Sequence, residues 1–173
     1  SSEAKRRSGD LRMPRISTTK SLEFSELLDE LRLSYPNIKF IDSDYSSWSN
    51  SKQSIFYNKD SANAVPDLLH EIGHMLCNHE SYESDLSLLS KELEAWQKAI
   101  NISKKLSISI SENYINDCID SYRAWIHKRS LCPKCSQSAV EISDKKYKCI
   151  NCHDSWQVNS TQESRIYKKG LVK

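Results

Sequence analysis

From Ala64 to Cys77 the chain reads Ala64-Val65-Pro66-Asp67-Leu68-Leu69-His70-Glu71-Ile72-Gly73-His74-Met75-Leu76-Cys77. Pro66 suits a first helical turn, and Asp67 suits the positive end of the helix dipole. Leu68, Leu69, Ile72, Met75 and Leu76 then recur at three-to-four spacing, which predicts a helix buried along one side. Residues four apart on a helix lie one above the other. His70 and His74 can therefore grip one metal ion while Glu71 faces a water bound to it. A core helix with two satisfied histidines needs no glutamate in register with them. A catalytic zinc needs both neutral imidazoles and a neighbouring base.

A catalytic zinc also takes a third protein ligand and leaves its fourth position to water. Glu92 and Glu94 lie on a second helical pattern, Leu88-Leu89-Ser90-Lys91-Glu92-Leu93-Glu94-Ala95-Trp96-Gln97-Lys98-Ala99-Ile100. Leu89, Leu93, Trp96 and Ile100 mark its apolar face, and the two acids flank that face on opposite sides, so the helical wheel leaves both open. His79 is the third candidate. It falls one residue short of the metzincin spacing and lacks the glycine of that motif, which marks it as a surface or helix-end residue.

His70-Glu71-Ile72-Gly73-His74 followed by Glu92-Leu93-Glu94-Ala95-Trp96 resembles the ImmA/IrrE family of metallopeptidases, whose pattern is His-Glu-x-Gly-His and then a Glu-Ala helix. The resemblance covers about residues 22 to 128 and continues more loosely into Cys118-Ile119-Asp120-Ser121-Tyr122-Arg123-Ala124-Trp125. It implies a small zincin-like domain, an edge strand beside the metal helix, and Glu94 as the third ligand. The Glu94-Ala95 pair is also similar to that of the thermolysin type. The family commonly has Asn after the Ala, where this chain has Trp96, and that departure leaves the subfamily and its substrate open.

The implied chemistry is peptide hydrolysis. Zinc on His70, His74 and Glu94 would acidify its water, and Glu71 would take the proton and hand it to the leaving amine. A further donor should stabilise the oxyanion, with Tyr82, Tyr114 and Tyr122 as candidates.

A second metal site is expected near the C-terminal end. Cys132-Pro133-Lys134-Cys135 and Cys149-Ile150-Asn151-Cys152 are two Cys-x-x-Cys knuckles with four-cysteine zinc spacing. Ala139-Val140-Glu141-Ile142 and Lys146-Tyr147-Lys148 read as short strands around a turn at Ser143-Asp144-Lys145, which predicts a zinc ribbon. His153 could replace Cys152, but the tandem knuckles leave it unnecessary. No apolar signal segment opens the chain, and Cys77 and Cys118 sit in apolar helical patterns as free thiols, so disulfides are disfavoured and a cytoplasmic setting is expected.

Charge is distributed unevenly behind a net +2. Residues 1–20 carry +4, residues 21–130 carry −6 and residues 131–173 carry +4. The basic ends and the ribbon could contact nucleic acid by releasing counterions from phosphates; the simpler reading is that they solubilise the chain. Only three Gly and four Pro, with 28% charged residues, fit a helix-rich body, and no apolar run reaches transmembrane length.

The expected organisation is a basic flexible arm over 1–17, a zincin-like domain over 18–130, a zinc ribbon over 131–158 and a polar basic tail over 159–173, too polar to fold alone. Within the second segment, Ser21 to Leu31 reads as a helix stopped by Tyr35-Pro36-Asn37. Ile38-Lys39-Phe40-Ile41 and Ser54-Ile55-Phe56-Tyr57 read as strands joined by a polar run from Asp42 to Lys52. Two more helices follow, over about 85–104 and 111–129. The fold class is α+β, a helix-rich catalytic domain with a short antiparallel sheet and then a small β ribbon.

The expected activity is that of an intracellular zinc endopeptidase with one catalytic and one structural zinc, whose protein substrate, by the resemblance, is a regulator such as a transcriptional repressor. Two alternatives stand beside it. A SprT-like or Spartan-like protease acting on DNA-bound proteins would take a histidine from a later helix as third ligand, and the only histidine between His79 and the ribbon is His127. A non-enzymatic regulator would use the ribbon alone to bind DNA or protein.

Overall fold

The computed structural model describes residues 23–160, 162 and 165–171. The basic arm expected over residues 1–17 lies outside the described residues. Those residues form an α+β structure of four helices and two small sheets.

Helix α1 (Phe24–Ser34) opens with a reciprocal capping box between Glu23 and Glu26 and buries Leu27, Leu28 and Leu31. It ends at Tyr35, because the residue before Pro36 is pushed out of the helical region. Strands β1 (Lys39–Asp42), β2 (Ser47–Ser49) and β3 (Ser54–Tyr57) follow in the spatial order β1-β3-β2. β2 runs antiparallel to β3, and β1 runs parallel to it. The expected antiparallel sheet is thus a mixed one. The run read as a plain connector supplies β2, so the chain reverses twice before β3, and the third strand runs in the direction of the first.

Helices α2 (Ala64–Leu76) and α3 (Asp85–Lys105) pack together over the sheet, with α4 (Glu112–Ser130) against α3. Leu68, Leu69 and Ile72 from α2 meet Ile55 and Tyr57 from β3, Trp96 and Ala99 from α3, and Ile115 and Ile119 from α4 in one buried cluster. The face that α3 buries differs from the one its large apolar residues suggest. Glu92, Ala95, Trp96, Ala99 and Ser103 are buried, whereas Leu93 is 43% exposed.

The reason is a close approach of the two backbones. A methyl group on Gly73 would lie 2.2 Å from the carbonyl oxygen of Ala95, so only a residue without Cβ fits there. Gly73→Ala is expected to push α2 from α3 and cost about 1–3 kcal/mol, read as a lower thermal midpoint. Since Gly73 sits between His70 and His74 on α2 and faces Ala95 of the helix that carries Glu92, the same variant should also bind metal more weakly.

The second sheet joins β4 (Ala139–Ser143), β5 (Lys146–Cys149), β6 (Ser155–Val158) and β7 (Lys168–Gly170) in sequential antiparallel order. It has its own small core of Cys132, Tyr147, Cys149, Trp156 and Val158. β7 comes from the tail read as too polar to fold alone. It is held by pairing to β6, where Lys169 lies opposite Gln157, and the aliphatic stem of Lys168 carries its ammonium over the Trp156 ring.

A buried polar junction seats this sheet on the helices. Glu141 of β4 accepts the backbone N–H of Asp85 at 2.7 Å and that of Lys145 at 3.1 Å, so a carboxylate occupies the N-terminal end of α3. Arg129, fully buried at the end of α4, lies 3.5 Å from Asp85 and 4.0 Å over the Trp125 ring, and its carbonyl accepts the indole N–H of Trp156. The Tyr147 hydroxyl bonds the other Asp85 oxygen.

Burial, reinforced by Glu141 and Asp144 and opposed by Arg129, raises Asp85 from an ordinary 3.8 to about 6. A carboxyl raised in the folded state stabilises it below the unfolded value and loses that contribution as pH rises through the folded one. The urea midpoint should therefore fall as pH is raised from about 4 to about 6, and Asp85→Asn should flatten that fall. An unchanged slope in the variant would remove Asp85 as its source.

No helix among the described residues is long and apolar enough to cross a membrane.

Candidate metal centres

α2 presents His70 and His74 one turn apart, and the close α2–α3 contact brings Glu92 to them. His70 Nε2 lies 3.1 Å from Glu92 Oε2, His74 Nε2 lies 3.5 Å from Glu92 Oε1, and the two Nε2 atoms are 3.0 Å apart. Tetrahedral zinc with ligands at about 2.0–2.1 Å spaces them about 3.3 Å apart, and these separations are of that size. Two ring nitrogens and a carboxylate converge on one point, a donor set that fits a divalent metal.

Glu92, rather than Glu94, completes the group. Both acids flank the apolar stripe of α3, but the small residues Ala95 and Ala99 let that side of the helix sink against α2 and carry Glu92 inward. Glu94 is 62% exposed and meets His79 at 3.2 Å. His127 of the alternative reading is exposed and stands apart from the group. Burial works against ionised Glu92, but hydrogen bonds from His70 and His74 outweigh it and hold the carboxyl down at about 2. The same carboxylate raises His74 above its ordinary value against the effect of burial.

Glu71 lies outside the ligand group but in the same cleft, a space of about 260 Å³ lined by Ser46, Ser47, Trp48 and Tyr122 beside the two histidines and Glu92. Burial raises the Glu71 carboxyl, while the neighbouring histidines and the Trp48 backbone N–H favour its charged form. Trp48 belongs to β2, the edge of the first sheet, so one rim of the cleft is an edge strand.

The three tyrosines separate cleanly. Tyr82 donates to the Ser160 carbonyl and Tyr114 donates to Asp67 at 2.5 Å, both away from the cleft. Tyr122 lines the cleft beside Glu92, and burial raises its phenol well above the ordinary value.

Beside the second sheet, Cys132, Cys135, Cys149 and Cys152 form a further group of converging ligands. Sulfur atoms lie 3.5 Å apart in Cys132–Cys152 and Cys135–Cys149, and 3.6 Å apart in Cys135–Cys152. A disulfide requires about 2.05 Å, whereas tetrahedral ligation at about 2.3 Å places sulfurs near 3.8 Å.

The two knuckles share one backbone design. Each closes with an N–H to the carbonyl of its first cysteine, Ser136 to Cys132 at 2.9 Å and His153 to Cys149 at 3.1 Å. Each then leaves through a left-handed residue, Ser136 at φ 58° and His153 at φ 59°. Amide N–H groups also point at the sulfurs, Lys134 to Cys132 and Cys152 to Cys149. The Gln137 backbone N–H and the Asn151 side chain lower Cys135 to about 6, which favours the ligating thiolate. Cys77 and Cys118 are free thiols, as read from the sequence.

Sequence reasoning placed His79 at a surface or helix end. It does follow α2, yet it is buried, with its Nδ1 2.9 Å from His74 Nδ1. The signal was the turn after the helix: Asn78 tolerates the left-handed φ of 53° that folds His79 back over the last turn.

The described residues form an α+β structure with a His/His/Glu group and a four-cysteine group, each able to hold a metal, and a third cluster of Cys77, His79 and Glu94 behind the first. Comparison with protein-family models, with curated proteins and with solved structures finds no match.

Proposed function

We propose that this chain is a zinc-dependent endopeptidase of the kind its ImmA/IrrE resemblance implies, with His70, His74 and Glu92 as zinc ligands and Glu71 as general base. The observation that carries the reading is Glu71 itself. It is a half-buried carboxylate next to His70 in the chain, outside the ligand group, and it faces the same cleft as the converging donors. A structural metal site has no use for such a group; a hydrolytic one requires it.

Bound zinc would supply Lewis acidity for the attacking water and the scissile carbonyl. Glu71 accepts the water's proton and returns it to the leaving nitrogen. Tyr122, which lines the cleft, would donate to the oxygen on which charge develops. The free edge of β2 offers backbone groups to an extended peptide, which selects main chain over side chain. The four-cysteine unit is a structural zinc ribbon that docks a protein substrate such as a repressor, with its basic surface available to nucleic acid.

The test uses the full chain, with metal counted and casein as an unfolded substrate. Wild type is expected to carry two zinc ions and to cleave; His70→Ala is expected to carry one and not to cleave. Cleavage by His70→Ala at the wild-type rate would overturn the assignment.

A further inference from the structure

His79 and Glu94 are absent from the ligand group, yet they form a continuous hydrogen-bonded line behind it. His74 Nδ1 lies 2.9 Å from His79 Nδ1, and His79 Nε2 lies 3.2 Å from Glu94 Oε2. The His79 ring is buried and its backbone is tied at both ends. Its N–H donates to the His74 carbonyl at 3.0 Å, and its carbonyl accepts the Trp48 indole N–H at 3.1 Å.

Counting protons along this line leaves one arrangement. His74 Nε2 faces His70 Nε2 and Glu92, so it is the ligating nitrogen and must present a lone pair. A neutral ring then carries its proton on Nδ1, aimed at His79. His79 Nδ1 must accept it, which leaves the His79 proton on Nε2, pointing at the Glu94 carboxylate. The reverse order would make His79 the donor and put the His74 proton on the nitrogen that should bind metal. Glu94, an acceptor only, excludes that order.

We propose that His79 and Glu94 are positioning residues of the metal centre: Glu94 sets the tautomer of His79, and His79 in turn sets the tautomer and ring orientation of His74. Outer partners of this sort commonly change metal affinity by about 10- to 100-fold. The inference rests on the reading that His70, His74 and Glu92 hold the metal. It also bears on a competing use of the same residues. Ligand atoms of Cys77, His79 and Glu94 lie within 4.8 Å of one another, a spacing open to a second ion. An ion there would take the His79 Nε2 lone pair and move the His79 proton onto Nδ1, against the proton of His74. The two arrangements exclude each other, and the relay is the one that satisfies both observed hydrogen bonds.

The experiment measures cobalt and zinc affinity of the histidine centre in the full chain by chelator competition, with the thiolate–cobalt absorption of the four-cysteine site as the folding control. His79→Phe keeps the ring volume without an acceptor, and it is expected to bind about 10- to 100-fold more weakly and to shift the cobalt d–d spectrum. His79→Gln supplies a carbonyl for His74 and an N–H for Glu94, and should recover most of the loss. Glu94→Ala, on an exposed side chain, should weaken binding toward the lower end of that range even if the His79 variants fold poorly. Cys77→Ser should leave affinity and metal count unchanged.

Wild-type affinity in both His79→Phe and Glu94→Ala would overturn the relay. So would His79→Gln no better than His79→Phe, or a metal lost in Cys77→Ser. Failure of the underlying assignment looks different: His70→Ala would then retain the wild-type metal count.

Discussion

Glu71→Gln is expected to slow peptide hydrolysis by about 10²- to 10⁴-fold while the histidine centre keeps its metal. The substitution is nearly isosteric. The amide cannot take a proton from water. Because Glu71 is outside the His70, His74 and Glu92 group, removing its charge takes no ligand from the centre. Single-turnover rates on a saturating peptide, with metal counted in the same samples, read the two effects separately. Undiminished turnover would sink Glu71 as the base, and a lost metal would make it a ligand.

Cys149→Ser is expected to unfold the second sheet while the helical body stays folded. The core around Tyr147, Trp156 and Val158 is too small to be stable alone, and in small zinc domains metal binding supplies on the order of 10–16 kcal/mol of folding free energy. The Cys149 sulfur is fully buried and lies 3.5 Å from Cys135, so a hydroxyl in its place leaves a poor ligand at the centre of that core. Trp156, fully buried in the native state, should show a red-shifted emission, and proteolysis should cut within residues 131–160. The helical body keeps its separate core, with Leu68, Leu69 and Ile72 fully buried. It does lose the Glu141 carboxylate at the start of α3, so its own midpoint should fall modestly. A variant with native Trp156 emission and unchanged protease resistance would show that the sheet does not depend on its thiolates.

Much of the architecture could be read in the chain. Tyr35-Pro36 ends α1, Ser111 caps α4 through the Tyr114 N–H, and the β4–β5 hairpin turns where Ser143-Asp144-Lys145 was read, with Lys145 at φ 58°. Each is a local effect, set by one or two residues acting on their own backbone. β2, β6 and β7 were missed for the opposite reason. They are only three or four residues long, and become strands only because β3, β5 and β6 offer free edges.

The two metal groups divide along the same line. Spacing within one helix or one knuckle is a matter of covalent geometry, so His70 with His74, and the four cysteines in two pairs, could be identified without a partner in view. Which carboxylate joins the histidines depends on how α3 is rotated against α2, and large apolar residues point to the wrong rotation. Gly73 and Ala95, with almost no side chain to signal anything, set the contact and turn Glu92 inward and Glu94 out to His79. Local spacing names the chemistry of the ligands; the packing of one helix on another selects the residue that completes it, because a third ligand from a distant segment is placed by contact distance and not by the helix repeat.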